Sequence, residues 1–169
     1  VLKLRDELIK RTDYQKATLL MLAYDSAGRK AELAQVKKQS FLENKNNTNK
    51  VIGKRKKIFS LVYFSGTKDC AKLWLEQRGD DELESLWVHN YGGTLHEANS
   101  EDIYSWFMDM RELLAKLEGE EMDFNVHSMR HSSLENYSKG THYVCRELGM
   151  TKGFPIEKLK LVANHENID

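Results

Sequence analysis

The chain has 169 residues, of which 40% are apolar, enough for the core of one compact domain, and its formal charge at pH 7 is zero. No apolar run approaches the roughly 18 residues of a membrane helix and no charged-then-apolar leader opens the chain, which excludes a helical membrane protein and points to a soluble, cytoplasmic one. Cys70 and Cys145 stand alone without paired spacing, which excludes a disulfide scaffold and a cysteine zinc site.

Leu2, Leu4, Leu8 and Ile9 begin a helical pattern, and Ala17, Leu19, Leu20, Leu22 and Ala23 form a second helix after a cap at Thr12 or Asp13. Asp25-Ser26-Ala27-Gly28 breaks the pattern, and Ala31, Leu33, Ala34 and Val36 resume it as a short helix. Gln39 to Leu42, Val51-Ile52 and Ile58 to Tyr63 read as three strands of a small antiparallel sheet, with a polar turn over Glu43 to Asn49. A helix follows from about Lys68 to Gln77, with Thr67 as its N-cap, and then a short strand over Leu86 to Val88. After the Gly92-Gly93 turn, Ser100 caps a long helix whose stripe of Ile103, Trp106, Phe107, Met110, Leu113, Leu114 and Leu117 belongs to the core. Further helices start near Ser128, cover about Tyr143 to Leu148, and end the chain over Ile156 to Ala163. The class is mainly α with a small antiparallel β-sheet, an α+β fold.

The neutral total hides an asymmetry. From Arg29 to Lys57 ten basic residues face only Glu32 and Glu43, whereas acidic residues dominate from Glu76 to Asp123. The first stretch suits phosphate and the second faces away from it, although a solvated surface gives the same runs.

Four segments carry chemistry. In Ser26-Ala27-Gly28-Arg29-Lys30-Ala31-Glu32-Leu33 a turn brings Arg29 to a helix start, where its planar fork can clamp phosphate and Glu32 can hold it from behind. An exposed i,i+3 ion pair is the plain alternative. In Val51-Ile52-Gly53-Lys54-Arg55-Lys56-Lys57 a basic hairpin offers a lysine at its tip as a proton donor in a DNA groove, or simply a solubilising turn. In His127-Ser128-Met129-Arg130-His131, His127 and Arg130 share a face near a helix start, whose amides favour anions. His127 and His131 also have metal-pair spacing, but no third ligand and no general-base glutamate accompany them, so no metal is expected. Last, His165 follows an apolar helix that ends at Ala163.

The order and types of these segments resemble the signature of the tyrosine recombinases, the phage integrase family. Arg29 and Glu32 match its Thr-Gly-X-Arg-X-X-Glu-Leu pattern, with Ser26-Ala27 in place of Thr-Gly. Lys54 follows the family's Ile-Gly pair, His127, Arg130 and His131 match His-X-Leu-Arg-His with Met129 for leucine, and Ala163-Asn164-His165 keeps the histidine of Leu-Gly-His. Gly92-Gly93-Thr94-Leu95 and the long helix after it also resemble the family's middle section.

The resemblance covers nearly the whole chain. It implies a catalytic domain over residues 1–169 that cuts double-stranded DNA through a 3′-phosphotyrosine intermediate, without cofactor or metal. The implied catalytic residues are Arg29, Lys54, His127, Arg130 and His165, supported by Glu32 and His131, with Lys30, Arg55, Lys56 and Lys57 against DNA. The family's tyrosine falls about nine residues beyond its third-box histidine. The expectation is therefore a piece of a longer protein, without nucleophile or N-terminal DNA-clamping domain, that is monomeric or weakly associating where the intact protein forms a tetramer on DNA. Tyr137 and Tyr143 do not match the nucleophile's position. The span from Arg130 to His165 is longer than is common in the family, with an inserted loop expected near Glu135 to Thr141. A type IB topoisomerase and a non-catalytic, integrase-derived DNA-binding protein are the alternatives.

Overall fold

The computed structural model describes residues 1–163. Helix α2 (Tyr14–Ser26) is the centre of the molecule, because every residue from Ala17 to Ser26 is buried. A helix apolar on all sides must be enclosed on all sides. Its neighbours are α1 (Leu2–Lys10), α5 (Ser65–Arg78) and α7 (Val126–Lys139). Asp13 caps α2 by accepting from Lys16 N at 3.4 Å.

Helix α6 (Ser100–Glu118) closes the core with the expected stripe, burying Ile103, Phe107, Met110 and Leu113. Its cap is Asn99, whose side chain accepts from Glu101 N and Asp102 N, and not Ser100, which is the first helical residue. A smaller cluster of Tyr137, Val144, Cys145, Phe154, Leu159 and Val162 joins α7 to α8 (Tyr143–Glu147) and α9 (Ile156–Ala163).

The strands form two separate antiparallel hairpins among the described residues. In the first, β1 (Asn47–Ile52) pairs with β2 (Ile58–Val62) so that Val51 faces Phe59 and Ile52 faces Ile58. In the second, β3 (Val88–Tyr91) pairs with β4 (Thr94–Glu97), with His89 opposite His96. The mainly α class with small antiparallel sheets stands as expected.

Three local expectations are corrected. Gln39–Leu42 is the short helix α4, not a strand: the Phe41 ring stacks on Tyr63 at 4.3 Å and Gln39 bonds Glu43 one turn on, contacts that a pleat would separate. Leu86 and Trp87 precede the second hairpin, and their buried side chains fill the core beside Trp74. Thr67 does not cap α5, which starts earlier, after Phe64, because its hydroxyl donates instead to buried Asp25.

Candidate active site

The turn between α2 and α3 (Lys30–Leu33) sets the position of Arg29. Ala27 ends α2 in the left-handed region at φ 55°, a conformation in which a Cβ is strained. Ser26 tightens the same turn, donating to Leu22 O and accepting from Gly28 N. The chain leaves extended at Arg29, the N-cap of α3, where Glu32 accepts from Arg29 N at 2.9 Å and its other carboxylate oxygen lies 3.7 Å from the guanidinium. Glu32 is itself buried, so the arginine is held from behind.

The first hairpin is seated on that carboxylate. A Cβ on Gly53 would stand 2.5 Å from the Phe59 ring and 2.8 Å from Glu32 Oε2, so only glycine permits this approach. Gln35 fixes the same strand end, accepting from Ile52 N at 2.8 Å and donating to Ile52 O at 2.9 Å. Its amide pairs as a neighbouring strand would. Beyond Gly53, the tip Lys54–Lys56 is a 3-10 turn with Arg55 at φ 60° and Lys56 at φ 58°, and Lys54, Arg55, Lys56 and Lys57 are exposed. Two adjacent cations therefore occupy a conformation that normally favours glycine or asparagine.

Helix α7 approaches from the other side. The Arg130 side chain is almost wholly buried and donates to Ala27 O at 2.5 Å, two residues before Arg29. The two arginines thus meet at one turn although 101 positions separate them. His127 is exposed on the first turn of α7, and its Nε2 lies 3.0 Å from Nε2 of His131, also exposed. Lys30 lies over the Tyr104 ring at 5.5 Å. His165 lies outside the described residues. Glu135–Lys139 is the last part of α7 and Gly140 its C-cap, so the expected loop there is helical. The helix persists because Leu134 and Tyr137 are buried on its inner face and Glu135 pairs with Lys139.

Sequence reasoning missed the polar layer beneath the turn. Asp25 accepts from Tyr143 OH, Thr67 Oγ1 and Phe64 N, which joins the end of α2 to α8 and to the start of α5. Burial raises its pKa to about 6 against the pull of those donors. Tyr24 O accepts from Ser133 Oγ, and Asp25 O accepts from Tyr137 OH at 2.6 Å. His142 is sandwiched between the Tyr24 and Tyr137 rings at 3.9 and 3.8 Å, and burial lowers its pKa to about 4. It donates from Nε2 to Tyr24 O and accepts at Nδ1 from Val144 N, the pattern of one neutral tautomer. The only sequence sign was an acid at the end of an otherwise apolar helix. Burial also raises the phenols of Tyr24, Tyr63, Tyr137 and Tyr143, which makes them poor nucleophiles.

The architecture is a tyrosine recombinase-like α+β fold. Among solved structures it is similar to the crystal structure of XerA recombinase, with a TM-score of 0.66 and 17% identity. That match covers 99% of this chain and 56% of the recombinase chain, so the present sequence spans little more than half its length. No protein-family model and no curated protein matches the sequence. Among the described residues no helix is long and apolar enough to cross a membrane.

Proposed function

We propose that residues 1–169 form the catalytic domain of a tyrosine-type DNA recombinase, cutting and rejoining double-stranded DNA. The observation that carries this reading is the Arg130 guanidinium donating to the carbonyl of Ala27, two residues before Arg29 in the chain, in a recombinase-like fold. Two guanidiniums at one turn supply the planar, charged donors that a phosphodiester needs as it becomes pentavalent.

In the reaction, a tyrosine oxygen bonds to phosphorus while the bond to the 5′-oxygen breaks, leaving a 3′-phosphotyrosine. Arg29, Arg130 and His165 stabilise the non-bridging oxygens. His127 takes the tyrosine proton, and Lys54 gives one to the departing 5′-oxygen. Glu32 holds Arg29 and the tip end of the Lys54 hairpin, while Lys30, Arg55, Lys56 and Lys57 hold flanking phosphates. The attacking tyrosine is none of the seven in this sequence. The intact protein works as a tetramer on two DNA sites.

The test is a nicked suicide duplex. A chain with the attacking segment restored should form a denaturant-resistant adduct, abolished by tyrosine-to-phenylalanine substitution and reduced at least about a hundredfold by Arg130→Ala, since one lost donor in a preorganised anion site costs about 3 kcal/mol. The 169 residues alone should form none. An adduct from these residues themselves, or an Arg130→Ala variant as active as its parent, overturns the reading.

A further inference from the structure

We propose that His127 and His131 form a two-imidazole site for a divalent transition-metal cation, with copper(II) bound more tightly than nickel(II). The two Nε2 atoms stand 3.0 Å apart on successive turns of α7, with ring planes at 89° and both residues exposed. Imidazole is a favourable ligand for these ions, and the affinity order places copper(II) above both nickel and zinc.

Without metal, the two Nε2 atoms share one hydrogen bond, the donating nitrogen being set by the tautomer. The cation takes the place of that shared proton. Rotation of the exposed rings about χ2 turns both lone pairs toward it, and the helix holds the two side chains on one face. Among the described residues no group of three or more histidine, cysteine, aspartate or glutamate side chains is placed to hold a metal. Among the described residues the site therefore offers two protein ligands, which leaves coordination positions open to water.

Occupation has a consequence for catalysis that rests on the recombinase reading. A coordinated His127 cannot accept the tyrosine proton, so the cation inhibits cleavage. Binding itself needs no DNA and does not rest on that reading.

The experiment titrates the 169-residue chain with copper(II) and nickel(II) against a chromophoric competing chelator. One equivalent should bind, and His127→Ala or His131→Ala should each weaken binding by at least about tenfold, because two ligands become one. His89 and His96, opposite each other in the second hairpin with ring centroids 5.7 Å apart, provide the internal comparison. A His89→Ala/His96→Ala variant should bind as the parent does. Binding that survives His131→Ala, or that disappears with the His89/His96 pair, overturns the site. In a chain competent to form the DNA adduct, nickel(II) should suppress adduct formation, and excess chelator should restore it. Metal binding that depends on His131 but leaves adduct formation unchanged upholds the site and counts against His127 as the proton acceptor.

Discussion

The two hairpins use the same clamp at opposite ends. In each, one glutamine amide accepts from and donates to the backbone of a single strand residue: Gln35 grips Ile52, next to the tip of the first hairpin, and Gln15 grips Val88, at the base of the second. Their turns differ in the same sense. Gly92 and Gly93 turn the second hairpin at φ 60° and 81° without strain, whereas Arg55 and Lys56 adopt similar values in the first despite their side chains. The first hairpin is held close to its tip and carries cations where relaxation would favour glycine. The second hairpin makes a similar left-handed turn with two glycines and carries no such strain.

The comparison is broken most forcefully at the root of the first hairpin, where Phe64 N donates to buried Asp25. Asp25 has a folded pKa of about 6 against 3.8, so its contribution to stability is full below about pH 4 and lost as pH rises through 6. His142 runs the other way: with a folded pKa of about 4 against 6.5, its contribution is full above about 6.5 and lost as pH falls through 4. Each shift is worth about 3 kcal/mol, and the two oppose each other between pH 4 and 6. Urea denaturation should therefore show little net slope from this pair in the parent. Stability should fall with rising pH in His142→Phe, which keeps a ring in the stack, and rise with pH in Asp25→Asn. Parallel slopes in all three proteins would refute the assignment. Amide exchange in Asp25→Asn should quicken in the first hairpin more than in the second.

A smaller effect separates the two glycine sites. Gly53→Ala places a methyl against the Phe59 ring and Glu32 and should cost about 1–3 kcal/mol. Gly92→Ala meets nothing within 4 Å, so only its positive φ opposes it, at about 1 kcal/mol. Chemical denaturation checks the order, and equal losses would mean that Gly53 does not seat the hairpin on Glu32.

Much of this was legible in the sequence because it has a period or a motif. The stripe on α6, the Asp25-to-Gly28 break and the Val51-to-Tyr63 hairpin announced themselves through spacing and turn residues. The site residues were named from a resemblance, and the structure brings Arg29 and Glu32, the turn that Arg130 bonds, and the tip end of the Lys54 hairpin together. What was illegible depends on contacts across long separations. Asp25 looks like a helix-breaking acid until Tyr143, 118 positions away, donates to it, and Gln35 looks like surface until it pairs with Ile52. The strand expected over Gln39–Leu42 failed for the same reason, since four residues carry too little periodicity to outweigh Phe41 stacking on Tyr63.

The clamps themselves give the next contrast. Gln35→Ala and Gln15→Ala each remove two hydrogen bonds to a strand, and each should cost about 1–2 kcal/mol. Fluorescence anisotropy with duplex DNA distinguishes them: Gln35→Ala should weaken binding by releasing the basic tip, while Gln15→Ala leaves affinity unchanged. Equal weakening would deny the first hairpin its special role.

The smallest expected change in stability is the most diagnostic, because its sign opposes its effect on binding. Arg55→Gly removes a Cβ from a residue at φ 60° and should stabilise the fold by about 0.5–1 kcal/mol, the strain relieved being partly offset by the greater freedom of glycine in the unfolded chain. The same change removes a cation from the proposed DNA surface. Affinity should therefore fall, and the slope of log affinity against log salt should flatten by about 0.9 if Arg55 neutralises one phosphate. Arg55→Gln separates strain from charge, since glutamine keeps a strained side chain in the left-handed region but carries no charge: it should bind like the glycine variant without its gain in stability. Arg55→Lys keeps both strain and charge and should bind like the parent. A glycine variant that is more stable and binds DNA as well as the parent, with the same salt slope, would show that the strained tip serves something other than DNA.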